Sequence, residues 1–349
     1  MIRISVIAVM AAISLSFTVR AAEVSTPTPS VISDAVYTKP QQLIEVGGGR
    51  RINMYCRGNG SPTVVFDAGL GDSSIAWARV QPVIAKDTRT CSYDRAGLAF
   101  SDAANRPSTA GNDVEDLHAA LRAAHVPPPY VLVGHSSAGL AVRIFADRYR
   151  NEVVGLVVVD GSHEDQEARY KAIATPDLLA TWGDNLKDTS CVDAAKGGSI
   201  PVDSPAFEKC VGENDPQYSQ AINEAMLKYG ASLKWQEAYA SETRSVFAAS
   251  ADETRATRKD FGDMPIIALT HAPNPPGKGV TQELQNTRTL LWEDLHNQIA
   301  AMSTHGVNEI VPRSSHAIQT DRPEIVIDAI RQVMAIATRN AKEPVSTSK

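Results

Sequence analysis

Tyr130-Val131-Leu132-Val133-Gly134-His135-Ser136-Ser137-Ala138-Gly139 is the stretch from which the remainder of the chain can be read. An apolar run of strand character stops at Gly134. After Ser137 the pattern turns helical, with Leu140, Ala141, Ile144, Phe145 and Ala146 at three- and four-residue spacing. A serine at such a strand-to-helix turn meets the requirement of a nucleophile elbow, whose strained backbone lifts the side chain clear of both elements. The strain demands small residues two positions before and two after. Ser136 has Gly134 and Ala138 there, whereas Ser137 would have the bulky His135 and Gly139, so Ser136 is the candidate nucleophile. An ordinary Ser/Gly loop can carry the same five residues. The strand before and the helix after set this one apart.

The 349 residues, 43% apolar and 21% charged, can bury a sizeable core as one α/β domain with an insertion. A net charge of -6, with no basic stripe and no zinc-ligand spacing, gives no support to nucleic-acid binding or a structural metal. Residues 1–21 read as an export signal: Arg3 begins it, an apolar run follows from Ile4 to Val19, and small residues allow cleavage after Ala21. Ser5, Ser14, Ser16 and Thr18 make that run a poor membrane anchor. The expected location is therefore the periplasm or the exterior, with no stable membrane association after cleavage. Residues 22–40, rich in Ser, Thr and Pro, are expected to form a loose leader, and 341–349 a frayed tail.

Four cysteines in an exported chain suggest two disulfides. Cys191 and Cys210 share a polar Gly/Pro/Ser segment with little core, and closing that loop contributes about 3 kcal/mol. Cys56 and Cys91 would then pair across the body of the domain. If the chain were not exported, four buried thiols would be the expected state instead.

Short strand patterns alternate with helical ones, which predicts a mostly parallel sheet covered on both faces. Strands are expected at 42–46, 51–56, 63–67, 88–93, 130–133, 153–159, 264–270 and 308–311. Helices are expected at 75–85, 114–124, 139–149, 281–303 and 323–337, the last capped by Asp321 with Glu324. From 161 to 260 the alternation stops. This largely helical span, with Tyr170, Trp182, Tyr218, Tyr229, Trp235 and Tyr239, reads as a cap inserted between the core segments 41–160 and 261–340.

The chain resembles the α/β-hydrolase superfamily. The resemblance rests on the elbow and on Ser61-Pro62-Thr63-Val64-Val65-Phe66-Asp67-Ala68-Gly69-Leu70-Gly71, which is similar to a strand and oxyanion loop. It rests also on Cys91-Ser92-Tyr93-Asp94-Arg95-Ala96-Gly97 with Ser101-Asp102, and on Ser314-Ser315-His316 before the last helix. It implies an eight-stranded sheet in the order 1-2-4-3-5-6-7-8, which sets the strands bearing Cys56 and Cys91 side by side.

The serine needs a base. Of the eight histidines, only His316 lies in the loop after the eighth strand, where the resembled fold places it. His135, beside the serine, is expected to point away from the catalytic face. The stretch after the seventh strand, from Leu269 to Pro276, holds no carboxylate, so the resemblance points to Asp160 at the end of the sixth, with Glu164 and Asp165 as alternatives. The order Ser136, Asp160, His316 is the one this fold uses. Main-chain N–H groups of Leu70 and Ser137 are the expected oxyanion donors.

The resemblance implies hydrolysis of a small-molecule carboxylic ester through an acyl-enzyme, with no metal or organic cofactor. Amide or peptide hydrolysis is the second reading, and a ligand-binding homologue without turnover the third. A serine rather than an aspartate at the elbow disfavours the epoxide-hydrolase and dehalogenase chemistries of the fold.

Overall fold

The computed structural model describes residues 30–179, 188–277 and 279–342. The signal segment 1–21, the leader as far as residue 29, Trp182 and the tail from residue 343 lie outside them. The described residues from Val31 onward form one compact unit.

The sheet comprises β1 (Gln42–Glu45), β2 (Arg51–Arg57), β3 (Thr63–Asp67), β4 (Thr90–Tyr93), β5 (Tyr130–His135), β6 (Val153–Val159), β7 (Ile266–His271) and β8 (Gly306–Val311). Their order is β1-β2-β4-β3-β5-β6-β7-β8, as the resemblance implied. β2 pairs antiparallel with β1 and β4, and the remaining pairings are parallel. Strand periodicity sends alternate residues to opposite faces. Phe66, Val131, Val133, Val157 and Val159 pack with Trp77, Val326, Ile330 and Val333 on one face. Val65, Leu132, Leu156 and Val158 pack with Leu117, Leu121, Leu140 and Phe145 on the other. Each such apolar side chain contributes about 1.5–3 kcal/mol on burial. This double cover explains why the central strands read as continuous apolar runs. It also leaves their C-terminal ends as the place where polar side chains collect.

The cap lies between β6 and β7. Its described helices are Gln166–Ile173, Ser190–Ala194, Pro205–Cys210, Gln220–Gly230, Leu233–Val246 and Ala249–Arg255. The Cys191–Cys210 disulfide, with Cα atoms 5.5 Å apart, joins two of them. Among the described residues the cluster beneath it has Ala195, Ile200 and Ala231 as its fully buried apolar members, so the crosslink adds order to a segment with little core. Cys56 and Cys91 face each other directly across β2 and β4, with Cα atoms 4.1 Å apart.

Four expectations need correction. Residues 75–85 form a 3₁₀ turn, Ser74–Trp77, and a separate short helix, Gln81–Ile84, with Pro82 in its first turn. A proline has no N–H to bond back into a preceding helical turn, so one continuous helix is excluded. The leader is docked from Ile32 onward: Ile32 N–H donates to Gln217 O at 2.8 Å, Ser219 N–H donates to Ile32 O at 2.9 Å, and Tyr37 is buried against Ile222. The final helix runs Pro323–Lys342, which shortens the expected tail. Asp321 accepts the Ser315 N–H at 2.7 Å, and Glu324 pairs with Arg322, so both carboxylates of the expected cap are engaged elsewhere.

Candidate active site

β5 ends at His135, and the helix Ala138–Arg148 begins three residues later. Between them Ser136 takes φ +52°, a left-handed conformation that L-residues rarely adopt. Three main-chain bonds hold it there: Ser136 N–H donates to Val159 O at 3.1 Å, and Ser136 O accepts the N–H of Ser162 at 2.8 Å and of Gly139 at 2.9 Å. The small residue two positions earlier is obligatory. A Cβ on Gly134 would lie 2.7 Å from Ala138 O and 2.8 Å from Val142 Cγ1.

Ser136 Oγ lies 2.8 Å from His316 Nε2, and His316 Nδ1 lies 2.5 Å from Asp160 Oδ2. An ionised carboxylate can only accept, so Nδ1 carries the imidazole proton and the Nε2 lone pair faces the hydroxyl. Asp160, fully buried at the end of β6 with φ +46°, has both oxygens engaged. Oδ1 accepts His271 N–H at 3.0 Å and Trp292 Nε1–H at 2.9 Å. Oδ2 accepts His316 and also His271 Nδ1, at 2.7 Å. Burial alone would raise this carboxyl, but the bonds from His271 and His316 outweigh it and hold the group well below the usual carboxylate range.

The alternative acids are engaged elsewhere. Glu164 binds the buried Arg143 at 2.6 Å and Lys259, while Asp165 pairs with Arg255 at 3.0 Å. His135 departs from expectation. Its ring packs 4.8 Å from that of His316, and Nε2–H donates to His316 O at 3.0 Å. Burial, with His316 beside it, lowers this imidazole to about 4, so it stays neutral and keeps donating at neutral pH. The reason lies in the sheet: β5 is central and both its faces are covered, so a side chain at its C-terminal end meets the β8 loop rather than solvent.

The loop after β3 crosses the elbow closely. A Cβ on Gly69 would stand 3.1 Å from Ser136 Cβ and 2.9 Å from His135 Nδ1. Among the described residues no protein acceptor takes the N–H of Leu70 or of Ser137. Both remain available to a developing oxyanion. The loop is clamped by the buried Arg95, which donates to Ala68 O and Gly69 O, each at 2.6 Å, and to Asp67 at 2.9 Å. Glu242, from the cap helix Leu233–Val246, accepts Arg95 Nε at 2.7 Å and Gly71 N–H at 2.8 Å. The cap thus reaches the loop after β3 through one carboxylate.

Glu242→Gln is therefore expected to cost about 3 kcal/mol of stability, since it weakens a buried ion pair. It should also lower kcat about tenfold, because a small shift of positioned donors is expensive. Urea unfolding and initial rates check the two parts separately. Unchanged kcat in the folded variant would show that the loop is held without the cap.

Sequence reasoning missed His271, Trp292, Arg95 and Glu242. A signal existed for His271, because adjacent parallel strands that end together bring their terminal residues together. With Val159 opposite Leu269 in register, Asp160 falls beside the end of β7.

A model of the Alpha/beta hydrolase family matches residues 64–329. The uncharacterized protein YqjL of Bacillus subtilis is 25% identical over 285 residues, covering 82% of this chain and 88% of that protein. Among solved structures, the epoxide hydrolase CorEH superposes with a TM-score of 0.56 at 16% identity, over 84% of this chain and 97% of the other. A thermophilic esterase of Thermogutta terrifontis gives 0.53 at 15% identity, over 86% and 99%. At such identities the superpositions speak for the fold, and together with the match over most of the sequence they establish that the chain belongs to the alpha/beta hydrolase family.

Proposed function

We propose that the protein is a serine hydrolase that cleaves small-molecule carboxylic esters through an acyl-enzyme. The observation that carries this reading is the unbroken run of contacts from Ser136 Oγ through His316 to the anionic Asp160. In the first step His316 Nε2 takes the Ser136 proton as Oγ attacks the ester carbonyl. Asp160 stabilises the resulting imidazolium and fixes its tautomer. The oxyanion is bound by the N–H groups of Leu70 and Ser137. Collapse of the tetrahedral intermediate expels the alcohol, which takes the proton from His316. Water then attacks the acyl-enzyme with His316 again as base, releasing the acid and free Ser136.

Epoxide opening by covalent catalysis in this fold needs a carboxylate at the elbow, and position 136 is a serine. This favours acyl transfer. Export is part of the same proposal: two disulfides are present, and among the described residues no helix is long and apolar enough to cross a membrane.

The test is a panel of nitrophenyl esters of graded acyl length, run beside matched anilides and a styrene-oxide substrate. Turnover is expected on esters, at least about 100-fold faster than on anilides. Faster anilide cleavage would reassign the protein as an amidase, and epoxide opening alone would overturn the acyl-enzyme reading.

A further inference from the structure

One group at the site has no part in the reaction as written. His271 sends Nδ1 to the same Asp160 oxygen that His316 uses, so two imidazole nitrogens and one carboxylate oxygen converge. All three atoms lie within 4.8 Å of one another. We propose that Asp160, His271 and His316 form an inhibitory site for a divalent transition-metal ion, of which Zn²⁺ is the best fit.

The donor set suits such an ion. Two imidazoles and a carboxylate match Zn²⁺ and its transition-metal neighbours, whereas Mg²⁺ and Ca²⁺ prefer oxygen-only shells. Tetrahedral ligands about 2.1 Å from zinc stand roughly 3.4 Å apart. The two hydrogen-bonded separations, 2.5 and 2.7 Å, therefore need to open by less than about 1 Å. The carboxylate is already anionic, and its other oxygen is held by the His271 and Trp292 N–H groups, which orient the ligand from outside. His316 is exposed and His271 partly so, which provides an entry path to the buried acid.

The inhibition follows from proton placement. A neutral imidazole keeps one N–H. When the metal takes Nδ1 of His271 and of His316, each proton moves to Nε2. No proton is lost, and no electron is transferred. His316 then presents Nε2–H to Ser136 Oγ, at 2.8 Å, and no lone pair remains to receive the hydroxyl proton. This consequence rests on the proposed role of His316 as base, whereas metal binding itself does not.

Two measurements separate these points. In the first, Zn²⁺ is titrated against ester turnover of the full chain and of His271→Gln, each normalised to its own metal-free rate. Zn²⁺ is expected to inhibit, EDTA to restore activity, and equal Mg²⁺ to have no effect. His271→Gln should raise the half-inhibiting Zn²⁺ concentration at least about tenfold. Equal sensitivity of the two proteins would overturn the proposal. In the second, Co²⁺ is added to Ser136→Ala and to Ser136→Ala/His271→Gln, and its visible absorption is recorded. One equivalent with tetrahedral bands is expected in the former and lost in the latter. Identical spectra would remove the site. Bands that depend on His271, with a wild-type protein that turns over no ester, would keep the site and reject the hydrolase reading.

Discussion

Ser136→Ala is expected to lower kcat on any ester substrate by about 10⁵-fold or more, with KM little changed. In the proposed mechanism the hydroxyl forms the covalent bond, and alanine would leave only substrate binding and the proposed oxyanion donors of Leu70 and Ser137. The substitution should not unfold the protein. Ser136 is held in its left-handed conformation by main-chain bonds to β6 and to Ser162, none of which uses Oγ. Alanine retains those bonds, though it shares the backbone strain at φ +52°. A melting temperature within a few degrees of wild type, beside the lost turnover, would assign the loss to chemistry. Residual turnover above about 1% would mean that another group supplies the nucleophile.

Asp160→Asn should lower kcat by about 10⁴-fold. An asparagine keeps the shape but can present an N–H to His316 Nδ1, which favours the tautomer whose Nε2 cannot take the serine proton. The site is more demanding than a simple pair, because the carboxylate accepts four N–H bonds. An amide has one oxygen and one NH₂ group, so at least one donor of His271, Trp292 or His316 faces another donor. Stability should fall as well, by about 2–3 kcal/mol. Glu164→Gln is the matched control. That residue is as buried but pairs with Arg143 and Lys259, so its loss should cost stability and leave the chemical step within about tenfold. The reverse pattern, with Asp160→Asn near wild-type rate, would remove Asp160 from the mechanism.

The parts of this site legible in the sequence share one property. Each follows from a local rule or from a strand-end position that the family resemblance assigns. Ser136 could be told from Ser137 because the turn forbids bulk two residues away, and the contacts a Cβ on Gly134 would make are the physical form of that rule. Asp160 and His316 could be placed because the resemblance implies an acid after the sixth strand and a base after the eighth, and β6 and β8 do end beside the elbow. The Cys56–Cys91 pair became readable once the implied strand order set β2 beside β4.

What could not be read depends on contacts between distant segments. Glu242 meets Gly71 across 171 residues, and Trp292 meets Asp160 across 132. No periodicity or spacing links such positions. The orientation of His135 is not legible for a related reason: its direction is set by how the β8 loop packs on β5, not by the sequence around it. The docking of Ile32 and Tyr37 on the cap likewise depends on a surface formed near Gln217 and Ile222, and the Ser/Thr/Pro composition of the leader concealed it.

Ser136 is expected to react as an activated nucleophile. The most direct measurement is intact-mass analysis of the protein after brief exposure to a fluorophosphonate, which reacts with a serine whose proton is removed by a neighbouring base. Wild type is expected to gain one phosphonyl group, mapped by peptide digestion to Ser136, while Ser136→Ala gains none and His316→Ala reacts far more slowly. If wild type is labelled no faster than Ser136→Ala, the account of this site as a serine hydrolase is wrong.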